Sequence, residues 1–391
     1  MSTISRRSKS GTKPIRLRGY PKIRFGSTVE LIALADDATG ALEVGAQLAG
    51  QGVDVMVGFE AFPPDASAVV MDLETRHVGA AQAEHTVARA ALEAGRAGAR
   101  HLYKKTDSTL RGNIAAEFQG LRYVYPDRSI VYVPAYPKMG RIVRDGMLFV
   151  HGKPLAETEF SSDPLNPARE GSLIRMFEGV LECPVALAAG ARELARCLDQ
   201  AVPVIVCDGV VEEDLRQVAG LLGGRSEPYI VAGPAGFVAY WAPLLLLAHA
   251  PSPSRSPVLR GLVVNGSLHP ASREQVALVS ALGAHSWVSL STPEERAADP
   301  LGVARKLAGE VRAILETMDI DGLVIIGGDT VFAVLRELGV GFVRPLGELR
   351  PGIPLSRFKW QGRNYSLATK AGGFGGSREI EQVLRQLEAL K

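Results

Sequence analysis

Apolar runs alternate with alanine-rich stretches from residue 29 onward. The runs at residues 29–35, 53–57, 69–71 and 130–133 are apolar at most positions, a pattern that predicts strands buried on both faces. Residues 42–48, which follow the first run, have the composition of a helix. Strands that alternate with helices in this way predict an α/β fold with a mainly parallel sheet flanked by helices.

A proline- and serine-rich segment divides this pattern in two. Residues 251–257 contain three prolines and three serines, which is the composition of a linker. Apolar runs at residues 261–264 and 323–326 then begin the alternation again. We therefore expect two α/β domains, residues 27–250 and 258–391, each with its own mainly parallel sheet and with the active site in the cleft between them.

The charge distribution separates the first 26 residues from the rest. The 391-residue chain has a formal net charge of +2, but residues 1–26 contain eight Lys or Arg and no acid, which leaves 36 basic and 42 acidic residues. This predicts a disordered basic leader and a body that binds no nucleic acid. No apolar run is long enough to span a membrane. The three cysteines lack C-x-x-C spacing, which favours a cytoplasmic protein with reduced thiols.

Ten consecutive residues form a dense polar segment at 104–113. It holds three cations, one carboxylate, three hydroxyls and an amide, and it lies between strand-like residues 101–103 and helix-forming residues 114–119. Such groups are costly to bury, so a plain core strand is not expected. They suit a small anionic ligand with several hydroxyls, although a solvated, salt-bridged turn is the alternative.

Charged side chains also follow two other predicted strands, where open α/β sheets bind their ligands. Asp36 and Asp37 follow the first strand, where they could orient a hydroxyl, accept its proton or hold Mg²⁺. One of them could instead simply cap the next helix. Arg76 follows the run at 69–71 and could bind a carboxylate through a bidentate contact.

Three further charged residues have weaker support. His77 could be catalytic, but a position at the surface or at a helix edge is preferred. Lys138 and Arg141 occur in a proline-bounded loop after the run that ends at residue 133. They either supply positive charge near a ligand or belong to a rigid exposed turn.

Three glycine-containing loops in the second half of the chain each precede a predicted helix. They are Asn265-Gly266-Ser267, Gly327-Gly328-Asp329-Thr330, and the segment 370–377 with Gly372 and Gly373. Glycines let backbone amides approach a phosphate at a helix N-terminus, and Asp329 could hold Mg²⁺. The loops match neither the Walker A pattern nor the dinucleotide fingerprint. Together they predict a nucleotide site of another kind.

In their order along the chain, these motifs resemble the four-carbon acid sugar kinase family. That family has a sugar-acid-binding N-terminal domain and a nucleotide-binding C-terminal domain, and its members phosphorylate four-carbon aldonic acids or their 3-oxo derivatives with ATP. The resemblance covers about residues 29–374. It rests on segments 35–41, 72–76, 104–113, 134–141, 146–167, 266–267, 327–330 and 370–375, of which the Lys-Thr-Asp-Ser-Thr-x-Arg-Gly-Asn block at 105–113 is highly specific.

The resemblance implies a role for each motif. The sugar acid, a threonate, erythronate or 3-oxo-tetronate, would contact Asp36, Asp37, Arg76, Lys104, Lys105, Thr106, Asp107, Ser108 and Arg111. ATP would contact Gly266, Ser267, Gly327, Gly328, Asp329, Thr330, Val331, Gly372 and Gly373, with Asp329 also binding Mg²⁺. Arg76 or Arg111 would bind the substrate carboxylate. Asp37 or Asp107 would be the catalytic base, with Asp37 preferred, and Lys104 or Lys105 would balance charge on the transferred group.

The chain departs from the family's pattern in four places. Ala38 replaces a bulky residue, Asp329 replaces a common Glu, Ala371-Gly372-Gly373 replaces Ser-Gly-Asn, and the interval between Ser267 and Gly327 is short. Other interpretations are a non-catalytic sugar-acid and nucleotide sensor, an NAD-dependent dehydrogenase, and a nucleic-acid-binding protein that depends on the basic leader. The dehydrogenase is disfavoured because the dinucleotide fingerprint is missing. The sequence predicts neither the stereoisomer used nor the oligomeric state.

Overall fold

The structure is a computed structural model that describes residues 29–59, 63, 66–162, 167–168, 170–250, 254–281, 286–293 and 299–390. The predicted basic leader, residues 1–26, therefore lies outside the described residues, as do residues 251–253 of the predicted linker and residues 163–166 of the segment 146–167. Within the described part of the chain, no helix is long and apolar enough to cross a membrane. The cytoplasmic location and the absence of nucleic-acid binding remain predictions.

The N-terminal half consists of short strands and the helices that cover them. Its strands are β1 (Leu31–Ala35), β2 (Val55–Gly58), β3 (Ala68–Asp72), β4 (His101–Lys105), β5 (Ser129–Tyr132), β6 (Arg141–Arg144), β7 (Met147–Val150), β8 (Lys153–Pro154), β9 (Val185–Ala188), β10 (Val204–Cys207) and β11 (Tyr229–Gly233). Its helices are α1 (Ala38–Ala49), α2 (Ala80–Arg96), α3 (Ile114–Val124), α4 (Leu173–Phe177), α5 (Ala191–Asp199), α6 (Glu212–Gly223) and α7 (Ala235–Trp241). β1 and β3 are buried at every position, as expected for strands covered on both faces.

The C-terminal half repeats this construction and adds an antiparallel meander. Its strands are β12 (Gly261–Asn265), β13 (Trp287–Ser291), β14 (Gly322–Ile326), β15 (Phe342–Arg350), β16 (Ile353–Trp360) and β17 (Arg363–Lys370). Its helices are α8 (Pro270–Ala281), α9 (Pro300–Thr317), α10 (Gly328–Glu337) and α11 (Glu379–Glu388). α9 and α10 begin directly after a capping aspartate and a glycine, respectively.

Fourteen strands form one continuous sheet in the order β13-β12-β14-β17-β16-β15-β2-β3-β1-β4-β11-β5-β10-β9. Neighbouring strands of this sheet are parallel except at three pairs, β2–β15, β15–β16 and β16–β17, which are antiparallel. A separate antiparallel sheet contains β6, β7 and β8. The predicted α/β class, with a mainly parallel sheet flanked by helices, is confirmed.

The two halves share this sheet, whereas the sequence led us to expect a separate sheet in each. They join where Phe342 pairs with Gly58 and Val343 with Val57, and we call this β2–β15 pairing the seam. Helix α1 packs over it: a Cβ at Gly45 would come within 2.6 Å of Val57 Cγ2 and 2.7 Å of Pro345 Cγ. Along the chain, the strands of the N-terminal half end with β11 and those of the C-terminal half begin with β12. The predicted linker lies between these two strands. The domain limits remain predictions.

Candidate active site

Polar side chains at the carboxyl ends of β1, β3 and β4 meet in one buried cluster. The guanidinium of Arg76 is its centre: Nε lies 2.8 Å from Asp36 Oδ2, Nη1 2.7 Å from Asp37 Oδ2, and Nη2 3.4 Å from Asp107 Oδ2. Burial alone would raise the pKa of Asp36, but Arg76, Lys105 and Lys104 together hold that pKa below its ordinary value. Three motifs that are distant in sequence therefore meet at one edge of the sheet.

Asp107 is held as a carboxylate by the residues that follow it. Its Oδ1 accepts hydrogen bonds from the backbone N of Thr109 at 2.9 Å and from the Thr109 hydroxyl at 2.5 Å. Its Oδ2 lies 2.7 Å from Nη2 of Arg111. Burial opposes ionisation, yet Arg111 and Arg76 hold the pKa of Asp107 well below its ordinary value. Such a carboxylate accepts a proton poorly, which argues against Asp107 as the base.

Lys104 is part of the core. Its Nζ lies 3.0 Å from Oε2 of Glu117 on α3 and 2.8 Å from the carbonyl of Lys105, and both members of the ion pair are fully buried. Thr75 donates its hydroxyl to the other oxygen of Glu117. The expectation that the polar segment would avoid a core strand is wrong at Lys104 and Lys105, because Glu117 supplies the counter-charge for Lys104 and Asp36 supplies that for Lys105. The position of Lys104 does not support the direct substrate contact expected of it.

Lys105 faces the cluster of carboxylates. Its Nζ lies 3.8 Å from Asp36 Oδ1, and a Cβ at Gly40 would overlap this Nζ, so Lys105 packs closely against the first turn of α1. Asp37 Oδ1 accepts the N–H of Gly40 at 2.8 Å and caps α1, while Oδ2 binds Arg76. The capping role and the functional role considered for Asp37 are therefore compatible.

The remaining predicted substrate-binding residues differ in accessibility. Thr106 is fully buried and its hydroxyl lies 3.5 Å from the Tyr132 hydroxyl, whereas Ser108 is half-buried. Arg111 is about a quarter exposed, and its guanidinium lies 5.6 Å from the ring centre of Phe160. Ser108 and Arg111 therefore retain surface that a ligand can contact, and Thr106 does not.

The three glycine loops lie side by side, because β12, β14 and β17 are neighbours in the sheet. A Cβ at Gly266 would overlap Thr330 Oγ1, and a Cβ at Gly372 would overlap Ser267 Oγ. Glycine is therefore required at both positions for the loops to approach each other. Val331 is fully buried and its N–H bonds to the carbonyl of Gly327, so the nucleotide contact expected for Val331 is not supported.

The loop after β17 is built around the buried Lys370. The Lys370 ammonium donates to the carbonyls of Ala371 at 2.9 Å, Gly372 at 3.0 Å and Phe374 at 2.8 Å. Burial lowers the pKa of Lys370 to about 8. Gln275 of α8 donates to the carbonyl of Phe374 at 3.1 Å. With these carbonyls bonded inward, the loop has a fixed shape beside the N-terminus of α10.

The N-terminus of α10 lies directly against the carboxylate cluster. A Cβ at Gly328 would be 2.8 Å from Thr39 Oγ1 and 3.1 Å from Asp37 Oδ2. His77 was expected at the surface or at a helix edge and it is exposed, while its Nε2 lies 3.2 Å from Asp329 Oδ1 across the junction of the two halves. That hydrogen bond raises the pKa of His77. Burial opposes ionisation of Asp329, but His77 lowers its pKa.

The residues around α10 fit a magnesium nucleotide. Mg²⁺ in such sites is held by one or two carboxylates together with substrate phosphates and water. Asp329, about a third exposed in the first turn of α10, provides one carboxylate beside free helix amides. The described ranges contain no group of three or more His, Cys, Asp or Glu side chains that could hold a metal ion without phosphates.

Comparison with known proteins decides the family. A family model described as the sugar-binding N-terminal domain matches residues 31–241, and one described as the nucleotide-binding C-terminal domain matches residues 289–380. The D-threonate kinase of Bordetella bronchiseptica is 30% identical over 92% of this chain and 96% of its own. The chain belongs to the four-carbon acid sugar kinase family. The 3-oxo-tetronate kinase of Methylobacterium radiotolerans is 27% identical over 90% of this chain and 97% of its own.

Solved structures support the fold of this four-carbon acid sugar kinase family member. A Salmonella typhimurium protein superposes with a TM-score of 0.75 at 21% identity, covering 92% of this chain and 99% of its own. A Bordetella bronchiseptica protein, solved as a domain-swapped dimer with bound citrate, gives a TM-score of 0.50 at 26% identity, covering 92% of this chain and 99% of its own.

Sequence reasoning missed three acids that the structure places in or beside the site of this family member. Glu117 gave one available signal, since it is an acid among the apolar residues of a helix that follows two lysines. Glu43 lies one turn into α1, and burial raises its pKa to about 7. Burial likewise raises the pKa of Glu74 to about 7, next to Asp72. Neither Glu43 nor Glu74 stands out in sequence, because a single acid in a helix or loop is ordinary.

Proposed function

We propose that the chain is an ATP-dependent kinase that phosphorylates the terminal hydroxyl of a four-carbon sugar acid. The observation that carries this proposal is the contact between the N-terminus of α10 and the carboxylate cluster. Because Gly328 lies against Asp37 and Thr39, a phosphate bound at the first amides of α10 would lie beside Asp37. A hydroxyl positioned by Asp37 would then be adjacent to the phosphorus that it attacks.

The roles of the residues follow from this arrangement. Asp37 orients the substrate hydroxyl and takes its proton, and Lys105 balances negative charge that develops on the transferred phosphoryl group. Arg76 holds Asp36, Asp37 and Asp107 in place. Gly266, Ser267, Gly372 and Gly373 shape the pocket for the nucleotide, and Mg²⁺ bound beside Asp329 would neutralise the phosphates.

The relatives narrow the substrate class. Their names specify D-threonate and 3-oxo-tetronate, and the Bordetella bronchiseptica structure contains citrate, a hydroxylated carboxylate. A compact, buried site that contains Arg76, Lys105 and Arg111 suits a small, hydroxylated anion of this kind.

The test is ADP release from Mg-ATP with D- and L-threonate, D- and L-erythronate and the 3-oxo-tetronates. We expect release that depends on one acid, and we expect Asp37→Asn or Arg111→Ala to lower turnover about a hundredfold or more. Asp127→Asn, in an exposed turn, is the matched control and should behave as wild type. Binding of both ligands without ADP release would refute the kinase and favour a sensor. Near-normal turnover of Asp37→Asn would refute the assignment of the base.

A further inference from the structure

Two arginines expected to bind the substrate's carboxylate are already engaged by the protein. Every guanidinium nitrogen of Arg76 has a carboxylate partner in Asp36, Asp37 or Asp107. Arg111 uses Nε and Nη2 on Asp107, at 3.1 and 2.7 Å. These bonds build the site, and turning either arginine toward a ligand would remove a counter-charge from a buried carboxylate.

Arg141, the first residue of β6, has a different environment. Its Nε is buried and has no hydrogen-bond partner among the described residues. Its Nη1 donates to the carbonyl of Met139 in its own loop, and no salt bridge to Arg141 occurs within the described ranges. A buried N–H without a partner is unfavourable, and more so when it belongs to a charged group. An arginine in this state is suited to a ligand that completes its bonds.

The position of Arg141 is on the sugar-acid side of the site. The charged groups that face it are Asp107, Glu43, Arg111 and Glu159, all from the N-terminal half. A bound anion at Arg141 would therefore lie near Asp107 and Arg111 of the polar segment.

The backbone around Arg141 holds it in this place. Arg141 and Tyr136 exchange backbone hydrogen bonds of 2.8 and 3.1 Å across the loop. A Cβ at Gly236 on α7 would overlap the ring of Tyr136, which shows how closely the loop packs on the main sheet's helices. Val143 exchanges two further backbone bonds with Gly209. The guanidinium is thus presented from a fixed strand end and not from a free loop.

We propose that Arg141 binds the carboxylate of the four-carbon acid and thereby selects an acid over a neutral polyol. This proposal rests on the proposed kinase function, and it assigns the acid's two ends: the carboxylate at Arg141 and the terminal hydroxyl at Asp37. Asp107 and Glu43 lie beside the Arg141 guanidinium. The substrate carboxylate would supply the hydrogen-bond acceptor that the Arg141 Nε lacks.

The test compares Arg141→Met and Arg141→Lys with Arg144→Met, whose exposed side chain lies on the same strand. Steady-state kinetics use the acid identified in the panel and the four-carbon polyol in which CH₂OH replaces its carboxylate. We expect Arg141→Met to raise KM for the acid about 10- to 100-fold, with a smaller effect in Arg141→Lys. In both Arg141 variants, we expect KM for ATP, turnover of the polyol and the unfolding temperature to stay at their wild-type values. Arg144→Met should match wild type.

The outcomes separate this proposal from the kinase function. If the wild type phosphorylates none of the acids, the proposed function fails and takes this inference with it. If the wild type phosphorylates an acid and Arg141→Met keeps its KM within about threefold, the assignment of Arg141 alone fails. A raised KM for ATP in place of the acid would also overturn it. If Arg141→Met does not fold, Arg141→Lys decides by the same criteria.

Discussion

Removing one member of the buried Lys104–Glu117 pair should destabilise the protein strongly, while removing both should not. The ammonium and carboxylate lie 3.0 Å apart with no exposed surface on either side chain. Lys104→Met leaves the carboxylate of Glu117 with only the Thr75 hydroxyl, and Glu117→Leu leaves the Lys104 ammonium with only a carbonyl. Each single variant therefore contains an uncompensated buried charge.

The expected magnitudes follow from that geometry. Breaking a buried ion pair from one side costs about 3–5 kcal/mol of the free energy of unfolding. In the double variant Lys104→Met/Glu117→Leu no buried charge remains, and the two apolar side chains fill similar volumes. The Thr75 hydroxyl and the Lys105 carbonyl each lose a partner, at about 1–3 kcal/mol apiece. One of these two losses also occurs in each single variant, where it adds to the cost of the unpaired charge. The double variant should therefore be more stable than either single one.

Urea unfolding of the four proteins measures this double-mutant cycle, and ADP release measures function in parallel. Because Lys104 has no surface for substrate, we expect the double variant to recover activity along with stability. Additive losses in the double variant would refute the pairing argument. A stable but inactive double variant would instead show that Lys104 contacts a reactant and that its burial has been misinterpreted.

Two further predictions concern the nucleotide loops. Gly328→Ala would bring a methyl group within 2.8 Å of Thr39 Oγ1, so we expect a higher KM for ATP and lower kcat with an unchanged unfolding temperature; unchanged kinetics would refute the contact between α10 and α1. Lys370 has a pKa of about 8 in the folded chain against an ordinary 10.5, so between these values the unfolded chain binds more protons. Raising the pH from about 8 to about 10.5 should therefore increase the free energy of unfolding, because the cost of burying the ammonium disappears. Deprotonation also removes one N–H donor of Lys370 from the loop carbonyls, and we expect this loss to weaken ATP binding. The difference between wild type and Lys370→Met, in both unfolding and KM for ATP from pH 7 to 10, measures both trends. Parallel pH profiles would contradict this account.

Much of the framework could be predicted because it depends on local patterns. Apolar runs give the strands, and chemistry at strand ends follows from the parallel arrangement. That reasoning was enough to bring Asp36, Arg76 and Asp107 together, as the structure does. The three glycine loops also lie together, because their strands are neighbours.

The parts that were not predicted depend on contacts between segments that no local pattern links. The bond from His77 to Asp329 crosses from one half to the other, and no spacing in the sequence indicates which loops face each other. The same holds for the pairing of Phe342 with Gly58. The burial of Lys104 requires Glu117 as its partner, and a general rule about polar residues cannot anticipate a specific counter-charge.

The seam determines which edges of the sheet are open to association. β2 is a short apolar strand, buried at all four positions, and an unpaired strand of that kind is a template for aggregation. By pairing with β15 it leaves β9 and β13 as the outer strands of the sheet in the described ranges. Both are only partly buried, and β13 ends with two serines in three residues. Either half produced alone would expose an unpaired strand, β2 or β15, at the edge of its sheet. We therefore expect each half to aggregate when it is produced without the other.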